Sequence, residues 1–309
     1  MKGRYLTLVI VMALLLIGGC SSPATSIADL QQTSEIIGDA SALPETAAAE
    51  ILPDIGPVQG EFLLLTYNVA GLPKEISDEK PEINNAKISP LLNDFDLVLV
   101  QEDFAYHGDL SAEVTLPYQS APLLITETMS DGLNRFARFP FPPVERLTWE
   151  VCSGIFDKAN DCLTAKGFSV TEMVLAPDVE IFVYNLHMDA GGDTEDRAAR
   201  AAQVDQLLAD IAARTEGRAL LIAGDTNLRM ERPEDQASLD KLLQEASLDD
   251  ACRSLECGDE RIDRVLFRSS ETLNLTPTTW SIPGNFIDED GEPLSDHDPV
   301  AVRFGWTSD

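Results

Sequence analysis

The 309 residues carry 53 acidic against 22 basic side chains, a formal net charge of −31 at pH 7. So large an acidic excess opposes a partner that is itself a polyanion, because nucleic-acid affinity rests on Lys and Arg neutralising phosphates. It draws divalent cations instead. The length admits one large or two ordinary domains, and 44% apolar residues suffice for a packed core.

At the N-terminus, Met1-Lys2-Gly3-Arg4 is basic, residues 6–17 form an apolar run, and Gly18-Gly19-Cys20-Ser21-Ser22 follows at once. A charged start, an apolar stretch too short to persist as a spanning helix and small residues before a cut make an export leader. Ile17-Gly18-Gly19-Cys20 also resembles the bacterial lipobox. That implies a lipid anchor on Cys20 as first residue of the mature protein; an ordinary secretory cut nearby is the alternative. Ser21, where an Asp would retain the protein, favours the outer membrane, on its periplasmic or surface face. Losing residues 1–20 removes Lys2 and Arg4 and no acid. Residues 21–56, rich in Ser, Ala, Thr, Pro and Glu, read as a flexible tether, and residues 57–309 as the folded domain.

Beyond Cys20, Cys152, Cys162, Cys252 and Cys257 form an even set in an oxidising compartment. Their spacing lacks the CxxC shape of a zinc site and no His lies nearby. Local disulfides, 152 with 162 and 252 with 257, are expected; four Cys allow three connectivities.

Glu61-Phe62-Leu63-Leu64-Leu65-Thr66-Tyr67-Asn68 is short and apolar enough for a buried strand that ends in an amide. Residues 83–93 suggest a short helix whose continuity Pro90 threatens. Asp96-Leu97-Val98-Leu99-Val100-Gln101-Glu102-Asp103 is a second buried strand, ending in carboxylates. Residues 105–178 are the least readable part. Within them, Arg135 to Pro143 alternates aromatic and basic residues, which suits an edge strand with one wet face better than a nucleic-acid contact, and a strand covers residues 169–175. Glu180-Ile181-Phe182-Val183-Tyr184-Asn185-Leu186-His187 is another strand with a potential ligand at its end. A helix starts near Asp193 with acids in its first turn, and its Val204, Leu207, Leu208 and Ile211 form a core stripe. Residues 218–224 are a buried strand running into Asp225-Thr226-Asn227, residues 236–246 an amphipathic helix, and Arg261-Ile262-Asp263-Arg264-Val265-Leu266-Phe267 a further strand. Ser295-Asp296-His297-Asp298-Pro299 then sets an imidazole between carboxylates before a last strand from Val300.

Strands alternating with helices, most too apolar to be wet on either face, predict an α/β protein whose sheets are covered by helices. Five of those strands end in Asn68, Glu102, His187, Asp225 with Asn227, and Asp296 with His297. Ends of neighbouring strands in such folds meet at one sheet edge, where sites are built. Glu102 and the Asp residues are hard oxygen ligands suited to Mg²⁺, or Mn²⁺ or Ca²⁺, and there are few nitrogen or sulfur ligands for zinc. The asparagines can orient a water or a phosphate oxygen without adding charge. A polarising cation, a base for water and donors for developing charge together make metal-assisted phosphodiester hydrolysis.

In order and spacing, Leu65-Thr66-Tyr67-Asn68, Val100-Gln101-Glu102, Asn185-Leu186-His187, Gly224-Asp225-Thr226-Asn227, Arg261-Ile262-Asp263 and Ser295-Asp296-His297-Asp298-Pro299 resemble the endonuclease/exonuclease/phosphatase superfamily. It includes deoxyribonuclease I-like nucleases and neutral sphingomyelinases. The resemblance implies a four-layer α/β/β/α sandwich with two central mixed sheets. It also implies that Glu102 holds the metal with Asn68 beside it, and that Asp296 lies at the metal or its shell. Asp225 and Asn227 would orient the attacking water and the phosphate, His297 would be the base or acid steadied by Asp263, and His187 would donate to the phosphate. The Asn-Leu-His setting is similar to the sphingomyelinase and deoxyribonuclease I branches. Thr226 departs from the Phe or Leu usual there and is expected to be a packing change. His107 either lines a headgroup pocket or is an ordinary loop histidine.

Membrane tethering and net acidity point to a phospholipid headgroup as the phosphodiester, as in sphingomyelinase C. A nuclease fits the same residues but meets the charge, and a non-catalytic binding protein would not need the intact polar set. Nothing in the sequence points to a protein partner.

Overall fold

Apolar side chains on both faces bury a strand on both sides, and β1 (Val58–Asn68) follows that rule. Phe62 and Leu64 enter one apolar cluster while Leu65 and Tyr67, of opposite parity, enter another. The computed structural model describes residues 58–309 except 78, 128, 155–160 and 259–260. The leader, lipobox and tether expected over residues 1–56 lie outside the described residues.

Two six-stranded mixed sheets form the centre. The first runs β11 (Leu273–Ser281), β12 (Val300–Ser308), β1, β2 (Leu97–Asp103), β4 (Gly132–Ala137), β3 (Tyr118–Gln119). The second runs β5 (Glu145–Thr148), β6 (Gly167–Ala176), β7 (Val179–His187), β8 (Leu220–Asp225), β10 (Asp263–Arg268), β9 (Asp249–Asp250). The β1–β2 and β7–β8 pairs are parallel and the other pairs antiparallel.

One cluster joins Phe62, Leu64 and Leu99 of the first sheet to Ile181, Val183, Leu221 and Val265 of the second, so the sheets pack face to face. The outer face of the first sheet carries Leu65, Val98 and Val100 against Ile88 of α1 (Pro81–Leu91). The outer face of the second carries Tyr184, Leu186 and Ile222 against Val204, Leu207 and Ile211 of α3 (Thr194–Arg214) and Leu239 and Leu242 of α4 (Pro233–Glu245). The result is the expected α/β/β/α sandwich. The short helices α2 (His107–Ser111) and α5 (Ala251–Ser254) are the other α-helices among the described residues. Among the described residues, every strand and the three apolar clusters lie within 58–309, so this segment carries a core of its own. No helix among the described residues is long and apolar enough to cross a membrane.

Helix ends follow local chemistry. At the start of α3 the Asp193 and Asp196 side chains each accept the other's backbone N–H, a reciprocal cap. Pro90 does not break α1, which ends one residue later and passes into a 3₁₀ turn, Leu92–Asp94. Cys152–Cys162 and Cys252–Cys257 are disulfide-bonded, with Cα separations of 5.3 and 4.9 Å.

One expectation is overturned. The strand over Arg135 is neither an edge nor wet: β4 is buried throughout, and Arg135 donates to Val183 O, Ser169 O and Ser169 Oγ of the opposite sheet. Alternation of Arg with Phe looks amphipathic, but this guanidinium finds carbonyls between the sheets instead of water. β5 and β11, half-exposed and near or at sheet edges, carry too mixed a pattern to stand out in the sequence.

Candidate active site

Register explains how the strand ends meet. His187 pairs with Asp225 across parallel β7 and β8, and Asp225 pairs with Asp263 across β8 and β10, so the three side chains form one row. In the other sheet, Asn68 ends β1 beside Gln101, and Thr66 pairs with Val300, which brings the turn before β12 alongside. Ser295 Oγ donates to Asn68 O (2.7 Å), and His297 N donates to Ser295 Oγ (3.2 Å), fixing that turn.

Two backbone points are special. Gly224 has φ +144°, and a Cβ there would stand 2.0 Å from Leu186 O, so only glycine lets β7 and β8 close up next to Asp225. Glu102 lies at φ +57°, uncommon for a residue with a side chain, where the β2–β4 register slips. Its carbonyl accepts from Gly71 N (3.0 Å) and Phe104 N (2.7 Å), which holds the kink.

Asn68 is the hub between the sheets. Its Nδ2 is 3.2 Å from Glu102 Oε1, 3.2 Å from Asp225 Oδ2 and 3.5 Å from His297 Nε2. Its Oδ1 accepts from Ala70 N (3.1 Å), which sets the amide's orientation. His187 Nε2 is 3.3 Å from Asp225 Oδ2 and 3.9 Å from Glu102 Oε1, and Trp149 Nε1 donates to His187 O (2.7 Å). His297 Nδ1 lies 2.8 Å from Asp263 Oδ2, and its Nε2 3.7 Å from Asp225 Oδ2.

The charges tune one another. Burial resists charging His297, but the Asp263 hydrogen bond and charge, with Asp225 and Asp296 beyond, raise its imidazole to about 10. Burial also pushes Asp263 up to about 6, with the charge of Asp225 adding and His297 opposing. Burial raises Asp225 too, yet the His187 bond and the charges of His187 and His297 hold it well below the usual carboxylate range.

Six of the expected residues, Asn68, Glu102, His187, Asp225, Asp263 and His297, thus come together. Asn227 stands behind them: its N–H donates to Asp225 Oδ1 (2.9 Å) and its Nδ2 to Met188 O (3.1 Å). Asp296 is exposed and, with Asp263, His297, Asp298, Arg229 and Arg261, lines a cavity of about 640 Å³. Arg261 pairs with Asp298 there. His107 does not line this cavity. It bonds the buried Asp103 (2.5 Å) and stacks on Phe136. Thr226 is more than a packing change, since its N–H and hydroxyl both donate to Ile262 O, at 2.9 and 2.7 Å, tying Asp225 to the start of β10.

Sequence reasoning gave no role to Ser295, Gln101 or Asn185. Gln101 Nε2 donates to Asn185 Oδ1 (2.7 Å) and Asn185 Nδ2 to Val100 O (2.9 Å), a cross-sheet tie directly beneath Glu102 and His187. For Gln101 and Asn185, polar side chains inside otherwise apolar strands were the available signal.

The donor set fits a hard divalent cation. Carboxylate oxygens of Glu102, Asp225 and Asp263 crowd a site with two imidazoles and no thiolate, and Asp263 Oδ1 is buried without a partner. Ligand atoms of Asp225, Asp263 and His297 all lie within 4.8 Å of one another.

Residues 65–297 match the Endonuclease/Exonuclease/phosphatase family. A sphingomyelinase of Mycobacterium tuberculosis is 34% identical over 276 residues, covering 82% of this chain and 54% of that protein. The chain thus spans about half the length of the curated sphingomyelinases of Mycobacterium that it matches. Among solved structures, a humanised Danio rerio TDP2 superposes with a TM-score of 0.62 at 19% identity, covering 79% of this chain and 98% of that one. Sphingomyelinase C of Streptomyces griseocarneus superposes with 0.58 at 18%, covering 79% and 99%.

Proposed function

The chain belongs to the endonuclease/exonuclease/phosphatase family, and on that premise we propose that it is a divalent-cation-dependent phosphodiesterase that cleaves a phospholipid headgroup, as a sphingomyelinase C does. The observation that carries the reading is the convergence of Glu102, Asn68, His187, Asp225 and the Asp263–His297 pair within hydrogen-bond reach of one another. The phospholipid substrate is supported by the sphingomyelinase relatives and by the charge of −31, which disfavours a nucleic acid.

Glu102 with Asn68 would hold the cation, Mg²⁺ by the hardness of the donors, and that cation would polarise the P–O bond and neutralise developing charge. The remaining roles belong to the chain. His297, in the neutral form that cation binding would favour by displacing its proton, takes the proton of the attacking water on Nε2, while Asp263 on Nδ1 fixes its tautomer and steadies the imidazolium. His187, whose Nε2 also lies against Asp225 Oδ2, donates to a phosphate oxygen. Asp225, held by Asn227 N–H, keeps both imidazoles aimed at one point. In-line attack then forms the bond from the water oxygen to phosphorus and breaks the bond from phosphorus to the lipid oxygen, which leaves as an alkoxide and takes a proton from solvent, giving the phosphomonoester and the lipid alcohol.

We further propose that Cys20 carries the lipid anchor and places the domain at the outer membrane, on the strength of the lipobox resemblance. Palmitate labelling lost in Cys20→Ser tests that step. The substrate is tested by offering sphingomyelin, phosphatidylcholine, plasmid DNA and RNA with Mg²⁺ to residues 21–309. Phosphocholine release is the expected result, and hydrolysis of DNA alone would overturn the lipid reading.

A further inference from the structure

Single apolar side chains at a surface are ordinary; a run of them in a short loop is not. Among the described residues nine large apolar side chains are exposed, and five of these lie on loops rooted at the edge that bears the candidate site: Ile76, Leu123, Leu124, Ile125 and Val151. Leu123, Leu124 and Ile125 are consecutive and 44%, 62% and 48% exposed.

Their roots are short and specific. The loop of Ile76 leaves Asn68 and is tied by Gly71 N to Glu102 O and by Lys74 N to Tyr106 Oη. The turn of Leu123 to Ile125 is closed by the Leu124–Ser130 bridge and by Asp131 N donating to Leu123 O. Ser130 fastens it to the segment after Glu102, donating through N to Phe104 O and through Oγ to Asp103 O. Val151 follows Trp149, whose indole donates to His187 O. Ile125 lines one small cavity with Trp149 and Cys152, so these two loops are neighbours. Glu127 is the only charge among residues 121–129.

We propose that the Leu123-Leu124-Ile125 turn, with Val151 beside it, is an interfacial docking surface that dips into a zwitterionic phospholipid layer and presents it to the candidate site. The proposal rests on the phospholipid reading above. Charge complementarity selects the occupant: a chain at −31 is repelled by an anionic layer, while a nearly uncharged apolar tip enters an electrically neutral one. A diester embedded in a membrane also has to reach a site that lies at a sheet edge, and the turn grows from that edge. This surface is separate from any lipid carried at Cys20.

The test uses residues 21–309, which contain the whole core, and the variant Leu123→Ser/Leu124→Ser/Ile125→Ser. Flotation with vesicles of phosphatidylcholine and sphingomyelin reads docking without catalysis. Turnover of soluble bis(p-nitrophenyl) phosphate reads catalysis without docking. The wild type should float with these vesicles and not with phosphatidylglycerol vesicles, and the variant should partition at least about tenfold less. Its turnover of the soluble diester should stay within about twofold, which also shows that it is folded. Docking is overturned if the wild type does not float, if the variant floats equally well, or if the turn instead supports a concentration-dependent dimer without lipid. Vesicle binding by a protein with no diesterase activity would uphold the docking surface and sink the functional reading instead.

Discussion

His187 and Asp225 stand opposite each other at the ends of two parallel strands, with Nε2 3.3 Å from Oδ2. The chain between them, residues 188–224 with the whole of α3, returns to form that contact. The sheet and not the loop sequence sets the distance, and the same register carries the row on to Asp263.

The Asp263–His297 pair makes a prediction in pH. In protein freed of cations, the His297 imidazole should remain charged at pH 8 and titrate near 10, seen by NMR; Asp263→Asn should bring it back toward the ordinary range. A raised histidine stabilises the fold fully below its unfolded value near 6.5 and loses that contribution as pH rises through about 10. Chemical denaturation should therefore show stability declining between pH 7 and 10 in the metal-free wild type, with a flatter profile in Asp263→Asn. A wild-type imidazole that titrates near 6.5 would contradict the coupling.

Cation binding should displace protons, because ligands bind metal in their deprotonated forms. Calorimetric titration with Mg²⁺ in two buffers of different ionisation enthalpy should report proton release at pH 8. Glu102→Gln should weaken the titration by about tenfold or more, by analogy with lost metal contacts. Identical affinity in wild type and Glu102→Gln would remove Glu102 from the cation site.

Gly224 is predicted to be irreplaceable on packing grounds alone. Gly224→Ala forces a Cβ onto Leu186 O at φ +144° and should cost at least about 1–3 kcal/mol in urea unfolding. An unchanged midpoint would mean that β7 and β8 part more easily than their register implies.

Arg200 and Asp235 form a fully buried ion pair, and Arg200 Nη1 also donates to Asp189 O, two residues beyond His187. Removing one partner strands a buried charge. Arg200→Ala should lose about 3–5 kcal/mol of stability in the same unfolding assay. A loss below 1 kcal/mol would show that water enters and solvates Asp235.

Much of this was legible in the chain. β1, β2, β7 and β8 are apolar on both faces, so their existence and their polar ends could be read from the order of residues alone, as could Asn68, Glu102, His187 and Asp225 as candidates. What could not be read depends on the third dimension. Arg135 looks like a surface cation until the second sheet supplies carbonyls for it. His107 reads equally as a pocket residue or an ordinary loop histidine until Asp103 claims its Nδ1. Asp296 and His297 are adjacent in sequence, yet the turn fixed by Ser295 points one outward and the other inward. Thr226 reads as a substitution, while its hydroxyl proves to be a tie to β10. Register, a relation between distant segments, decides each of these.

The most direct measurement is turnover of bis(p-nitrophenyl) phosphate by residues 21–309, with Mg²⁺, with chelator, and in His297→Ala. The geometry predicts steady hydrolysis with Mg²⁺, abolished by chelator and reduced about 10²–10⁴-fold in the variant. Hydrolysis that survives chelator, or a His297→Ala variant as fast as wild type, would contradict it.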